Sequence, residues 1–264
     1  MINPIFERLV LLTGNEGLEK LSRAKVLVFG AGGVGSWAAE ALARSGIGKI
    51  GIIDNDTICA SNINRQIEAT SLTIGEAKAS ALKKRLLEIN PECQVTAWDE
   101  LFCLENADNF DIKSADYVID AIDTLTHKLD LIETVHSSGA TLFSSMGMAL
   151  KLDPSHIKIT SIWKTNKCAL ARLVRQGLRK RNFSGDFTVV YSDENNNEQR
   201  KEYNEQLTEY NEQLTENNET ITENKQPDFP HKRINGSIVT VTAVAGFYLA
   251  SLVVNEIINK DLAT

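Results

Sequence analysis

Over its first 145 residues the chain alternates short apolar runs with helix-period segments, a rhythm that predicts β–α–β units closing a parallel sheet. Lys25-Val26-Leu27-Val28-Phe29 reads as a first strand, Val34 to Arg44 as a helix, and Lys49 to Asp54 as a second strand. Gly75 to Ile89 reads as a helix with a basic outer face. Gln94 to Trp98, Ala115 to Asp120 and Thr141 to Ser145 read as further strands, with a helix over Thr126 to Ser137 between the last two. Each strand is short and apolar throughout, as strands covered by helices on both faces are.

Beyond Lys151 the pattern loosens. Ile157 to Ile162 alternates like an edge strand, Ala169 to Arg181 is a basic helix, and Phe187 to Tyr191 is another strand. Ser237 to Val254 carries no charge and approaches the length of a membrane span. Its first six residues, Ser237 to Thr242, alternate polar and apolar as a half-buried strand does, and Gly246 to Asn259 reads as a buried helix. Strand plus core helix is therefore the expectation, and membrane association is not. The α/β class thus ends in mixed strands and a helix, within a single domain over 1–264.

Residues 204–224 repeat in tandem as NEQLTEY, NEQLTEN, NETITEN. The period of seven sets Tyr203, Leu207, Tyr210, Leu214, Asn217 and Ile221 four and three apart, a heptad-like seam. One aliphatic residue per heptad, with Asn and Thr between, makes poor helix and poorer interface. The segment 192–230 is expected to be an acidic, low-complexity, flexible insertion without a catalytic role.

Charge sharpens that division. The net charge is −7, and residues 192–226 alone hold ten acidic and three basic groups. The rest balances at 25 of each sign, so the acidity belongs to the insertion and does not argue against a nucleic-acid partner for the body. The four cysteines, at 59, 93, 103 and 168, form no C-x-x-C pair, so zinc-site spacing is absent. Met1 to Arg8 lacks a basic flank leading into an apolar run, so a cytoplasmic protein is expected.

Gly30-Ala31-Gly32-Gly33-Val34-Gly35 matches G-x-G-x-x-G directly after a strand and at the opening of a helix, which makes the sheet Rossmann-type, with helices on both faces. Glycines there let phosphate oxygens approach the backbone, and the helix N-terminus supplies donors and positive potential. Asp54, ending the next strand, is placed to hold ribose hydroxyls. By itself this motif says only nucleotide, with NAD as the default. The residues downstream discriminate: Asp54-Asn55-Asp56, then Ser61-Asn62-Ile63-Asn64-Arg65-Gln66, then Lys78. A dehydrogenase has no use for an Arg and a Lys at the phosphate end. An enzyme that attacks the α-phosphate needs cations where charge builds on phosphorus. Asp120-Ala121-Ile122-Asp123-Thr124 then places carboxylates at the C-terminal edge of the sheet, where Asp123 could hold Mg²⁺ against phosphates. Asp120 could equally cap the following helix.

Taken together, these motifs resemble the E1-like (ubiquitin-activation-like) adenylating superfamily, over nearly the whole chain apart from the insertion. The resemblance implies ATP as the nucleotide, with Gly33 and Asp54 beside it, Arg65 and Lys78 at its phosphates and Asp123 at Mg²⁺. Gly30, Gly32, Gly35, Asp56, Ser61, Asn62, Asn64, Gln66, Asp120 and Thr124 complete the expected nucleotide site. It also implies a homodimer in which Arg8 reaches the partner's site. Within the superfamily, Gly35-Ser36-Trp37, Asn64-Arg65-Gln66-Ile67, Asn90-Pro91-Glu92, Ser144-Ser145-Met146-Gly147 and Lys151-Leu152-Asp153-Pro154 resemble the tRNA threonylcarbamoyladenosine dehydratases. That branch implies activation of a threonyl carboxylate as an acyl-adenylate and ring closure by the neighbouring carbamoyl group, with no enzyme thiol. A tRNA partner fits Arg172, Arg175 and Arg179, spaced along one helix face near Lys164, Lys167, Lys180 and Arg181. A solvated helix face accounts for them as well. Two other readings compete: adenylation of a small ubiquitin-like sulfur carrier, and a nucleotide-binding scaffold in a system with a cysteine desulfurase or sulfur acceptor.

Overall fold

The computed structural model describes residues 3–195 and 235–259. The heptad-like repeat and most of the acidic insertion predicted over 192–230 lie outside the described residues.

Seven strands form one sheet: β1 (Lys25–Phe29), β2 (Lys49–Ile53), β3 (Gln94–Trp98), β4 (Tyr117–Asp120), β5 (Thr141–Ser145), β6 (Ile157–Ser161) and β7 (Thr188–Ser192). Their order is β3-β2-β1-β4-β5-β7-β6. All neighbours run parallel except the β6–β7 pair, so the predicted edge strand is the antiparallel edge. The helices are α1 (Glu7–Arg23), α2 (Gly35–Arg44), α3 (Lys78–Ile89), α4 (Leu125–Ser138), α5 (Ala169–Lys180) and α6 (Val239–Asn259). The chain therefore has the α/β architecture its apolar rhythm predicts.

Strand β1 shows how the sequence builds the two layers. Successive side chains point to opposite faces. Val26 and Val28 join one apolar cluster with Ala38 and Leu42 of α2, Leu82 of α3 and Val253 of α6. Leu27 and Phe29 join the other with Leu131 and Ile132 of α4 and Val174 and Leu178 of α5. All four β1 residues are fully buried, which is why the strand reads as an unbroken apolar run.

Two elements differ from expectation. Ser237–Thr242 is not a strand: helix α6 begins at Val239 and runs unbroken to Asn259. Six alternating residues also satisfy a helical stripe, and the stripe wins. Val241, Ala245, Leu249, Val253 and Ile257 are buried at spacings of four, with Thr242, Gly246 and Ala250 beside them. Gly246 allows α6 to lie directly on α2, because a Cβ there would meet the Val34 carbonyl oxygen at 2.5 Å. Alone among the helices of the described residues, α6 is long and apolar enough to cross a membrane, and that buried stripe explains its composition. The second difference is α1, a stretch for which the apolar pattern predicts no element. It carries a break at Gly14 (φ 70°) and leaves Leu11 and Leu12 exposed.

The sheet order reverses between β1 and β4. From β1 the chain moves outward to β2 and β3, then returns to β4 on the other side of β1. In open α/β sheets the crevice at that switch point is where ligands bind.

Candidate functional site

Gly30 opens the turn after β1 at φ 92°, and a Cβ on it would lie 2.7 Å from the Ala121 carbonyl oxygen. The turn is thus pressed against the loop after β4, at the switch point. At Gly35 a Cβ would overlap the Gly30 carbonyl, so these two glycines are fixed by packing. Gly33 is nearly as tight, with Arg65 Cγ and Thr242 Cβ at 3.2 and 3.3 Å from such an atom. Gly32 differs, since its only near neighbour is Gln66 Nε2 at 3.9 Å. The backbone is therefore approachable at Gly32, beside the N-terminus of α2, as an anion requires.

Asp54 holds this turn from the tip of β2. Its carboxylate accepts the Ala31 N–H at 2.7 Å and the Asp56 N–H at 2.8 Å. Burial raises its pKa above the usual carboxylate value. Helix α3 begins at Lys78 rather than at Gly75, because the Lys78 N–H is drawn to the Asp56 carbonyl at 3.0 Å. The Lys78 side chain is buried, and its ammonium pairs with Asp56 Oδ2 at 2.8 Å. Arg65 is folded back on its own turn, donating to the Ser61 carbonyl at 2.8 Å and to Asn64 Oδ1 at 2.9 Å. Trp37 of α2 steadies that turn through a bond from its indole to the Arg65 carbonyl.

The remaining predicted residues divide. Asn62 is buried and caps the Cys59 N–H, and the Asn64 amide reaches the Ser237 carbonyl at the foot of α6. Both shape the loop. Gln66 is buried with its amide oxygen lacking a hydrogen-bond partner. Ser61, Asp123 and Thr124 are exposed. Asp120 corrects the expectation that it faces the nucleotide. It is fully enclosed, and its carboxylate accepts from Lys128 Nζ at 2.6 Å, Ser144 Oγ at 2.6 Å and the Ile122 N–H at 3.0 Å. Lys128 also donates to the Ser145 carbonyl at 3.0 Å. Asp120 therefore ties the ends of β4 and β5 together and leaves no side for a ligand. Sequence reasoning misses Lys128 and Ser144 as its partners. A lysine among the buried residues Leu129, Leu131, Ile132 and Val135 of α4 is the signal that could have found the first.

Asp123 fits a phosphate-bound magnesium. It is exposed and accepts a 3.2 Å bond from Thr124 Oγ1, which leaves hard oxygen free for a cation. Among the described residues no cluster of three metal-ligating side chains exists, so an ion here would draw most of its ligands from phosphate and water.

Arg8 stands exposed on the first turn of α1. On α5, Arg172 and Arg179 are exposed, as are Lys164, Lys167 and Lys180. Arg179 lies over the Trp163 ring, 5.5 Å from its centroid. Arg175 departs from the predicted row of three: it is half-buried and hydrogen-bonded to Thr165 Oγ1.

The ThiF family model matches residues 6–263. A tRNA threonylcarbamoyladenosine dehydratase of Bacillus subtilis (strain 168) is 43% identical over 189 residues, which is 72% of this chain and 74% of that protein. Its namesake from Escherichia coli (strain K12) is 41% identical over 179 residues, 68% of this chain and 65% of that protein. Among solved structures, E. coli tRNA N6-threonylcarbamoyladenosine dehydratase, TcdA, in complex with ATP superposes with a TM-score of 0.82 at 30% identity. That superposition takes in 100% of this chain and 99% of the other.

Proposed function

This chain belongs to the ThiF family, in the group of the tRNA threonylcarbamoyladenosine dehydratases, and from that premise we propose that it uses ATP to close the threonylcarbamoyl side chain of a modified adenosine in tRNA into a ring. What supports this reading is a glycine turn open at Gly32 and tied to Asp54, with the Arg65 stem packed on Gly33 and Lys78 paired to Asp56 two residues beyond Asp54, in a chain that matches an ATP complex end to end.

The chemistry is set by those groups. A threonyl carboxylate oxygen attacks the α-phosphorus of ATP, and the bond to the diphosphate breaks. Negative charge builds on the phosphorus oxygens, where the Gly32 backbone supplies a fixed donor and the cations of Lys78 and Arg65, released from Asp56 and from the Ser61–Asn64 turn, meet it. The product is an acyl-adenylate. The carbamoyl group of the same side chain then attacks the activated carbonyl, loses a proton and expels AMP. The nucleophile belongs to the substrate, so no enzyme thiol takes part. Asp54 holds the ribose end while buttressing the glycine turn. Asp123 would hold Mg²⁺, which when bound neutralises phosphate charge.

Around this centre, exposed Arg172 and Arg179 with Lys164, Lys167 and Lys180 form the face offered to the tRNA backbone, and Arg175 braces it through Thr165. Arg8 completes the phosphate site of a second copy, which makes the working form a homodimer. The same reading puts the enzyme in the cytoplasm.

Nucleoside mass spectrometry of threonylcarbamoyladenosine-bearing tRNA, incubated with the protein, ATP and Mg²⁺, tests this directly. The expected product is lighter by one water, and it is absent without ATP or with Lys78→Ala. An unchanged nucleoside from a protein that still makes adenylate on a small carrier protein would replace this reading with carrier activation. Absence of any adenylate would leave a nucleotide-binding scaffold.

A further inference from the structure

Sequence motifs pass over Glu68, yet its setting is unlike that of any other carboxylate beside the site. It lies three residues after Arg65, with only 3% of its surface exposed. Neither of its carboxyl oxygens accepts a well-aligned hydrogen bond, and the donors nearest to making one are the Ser36 hydroxyl and its own N–H. Gln66, two residues earlier, also leaves its buried amide oxygen unpartnered. The buried orphan side-chain atoms of the nucleotide site thus belong to one short segment behind the glycine turn. Buried polar atoms are almost always paired, so such a concentration calls for a reason.

The segment is held firmly. The Ile67 N–H donates to Ser36 Oγ in the first turn of α2 at 3.4 Å, and Thr73 Oγ1 donates to the Glu68 carbonyl at 2.8 Å. The Ser36 hydroxyl of α2 reaches the carboxyl, and the charges of Lys78 on α3 and Asp54 at the tip of β2 act on it, the first favouring its ionised form and the second opposing it. Lys78 is in turn paired with Asp56. A carboxyl in this position feels the ammonium that is to meet phosphate, and lies against the first turn of α2, whose positive end is to meet phosphate too.

We infer that Glu68 is a positioning residue of the nucleotide site, an inner carboxyl whose proton sets the net charge that Lys78 and the N-terminus of α2 present to ATP. This rests on ATP use as proposed above. In its neutral form Glu68 leaves Lys78 and the helix end to the phosphates. In its ionised form it competes with them for both. Burial pushes its pKa up to about 7, so both forms are accessible near neutrality. Phosphates favour the neutral form, so nucleotide binding takes up a proton, and affinity falls as pH rises through the range of this group.

The test is equilibrium binding of magnesium-saturated ATP to the full chain and to Glu68→Gln, from about pH 6 to about 9. The wild-type Kd is expected to weaken by up to about tenfold per pH unit above neutrality, levelling where the bound form also ionises. Glu68→Gln is expected to bind as tightly as the wild type at the acid end and to hold that affinity across the range. An identical pH profile in both proteins, or a flat one in the wild type, overturns the inference. Calorimetry of the wild type at neutral pH, in two buffers of different ionisation enthalpy, gives a second reading that needs no variant. Proton uptake on binding is expected, and its absence overturns the inference even if Glu68→Gln fails to fold. Failure to bind ATP at any pH would instead strike the proposed function, so the two failures are distinct.

Discussion

Two lysine–aspartate pairs sit near the C-terminal edge of this sheet with nearly the same separation, 2.8 Å for Lys78–Asp56 and 2.6 Å for Lys128–Asp120. Their surroundings differ completely. Both side chains of the second pair are fully enclosed, whereas Asp56 is 63% exposed beside a buried Lys78. The enclosed pair cannot exchange partners, because every direction around it is taken by Ser144, the Ser145 carbonyl and the Ile122 N–H. The other has water on the acid side, so an incoming phosphate can take the ammonium from Asp56 while the carboxylate returns to solvent. One pair is a clamp and the other a latch, and distance alone would not have told them apart.

The clamp is the more sensitive to loss. Lys128→Met leaves the Asp120 charge buried without its cation, which is expected to destabilise the fold by about 3–5 kcal/mol. Urea denaturation reads this as a lower midpoint at unchanged slope. The double variant Lys128→Met/Asp120→Asn removes both charges and is expected to recover a large part of the loss. A Lys128→Met protein as stable as the wild type would show that the pair does not clamp β4 to β5.

The latch should behave in the opposite way. Lys78→Met keeps an apolar stem in the same enclosure and frees an already exposed Asp56, so stability is expected to stay within about 1 kcal/mol. Adenylate formation, measured by release of radiolabelled diphosphate, is expected to fall by about 10²–10³, the usual cost of removing one fixed donor from a developing charge. Loss of stability in proportion to loss of rate would make Lys78 a structural residue and undo the contrast.

That contrast was half legible in the chain. Lys78 announces itself because the spacing from Asp54-Asn55-Asp56 through Asn64-Arg65-Gln66 brings charge to a place where a bare nucleotide turn needs none. Asp120 was legible as a carboxylate at the end of a strand, but its direction was not. Whether such a group faces ligand or core depends on Lys128, eight residues later on α4, and on Ser144 of β5, which only the fold brings to it. Glu68 was illegible for a related reason: its character comes from burial and from Ser36, Lys78 and Asp54, which only the fold brings around it. The layers themselves were readable, since Val26 to Phe29 alternate between two faces that are both covered. The start of α6 was not, because six residues of alternation fit both a strand and a helical stripe, and the choice falls to the stripe that continues from Val241 through Ala245 and Leu249 once α6 lies on α2.

The smallest effect is the sharpest test of exposure as the deciding variable. Asp56→Asn and Asp120→Asn are the same chemical change on the same kind of partner. At Asp120 the change strips a fully buried lysine of its counter-charge, and the cost is again expected at about 3–5 kcal/mol. At Asp56 the lost partner was mostly in water, where screened pairs contribute about 0–1 kcal/mol, so the denaturation midpoint should barely move. The lysine left behind should then be held less tightly by the protein and be more available to phosphate. ATP affinity of Asp56→Asn is therefore expected to be retained or modestly improved, measured at the acid end of the range where Glu68 is neutral. Weaker binding would mean that Asp56 aims Lys78 rather than restrains it, and the latch would have to be redrawn as a guide.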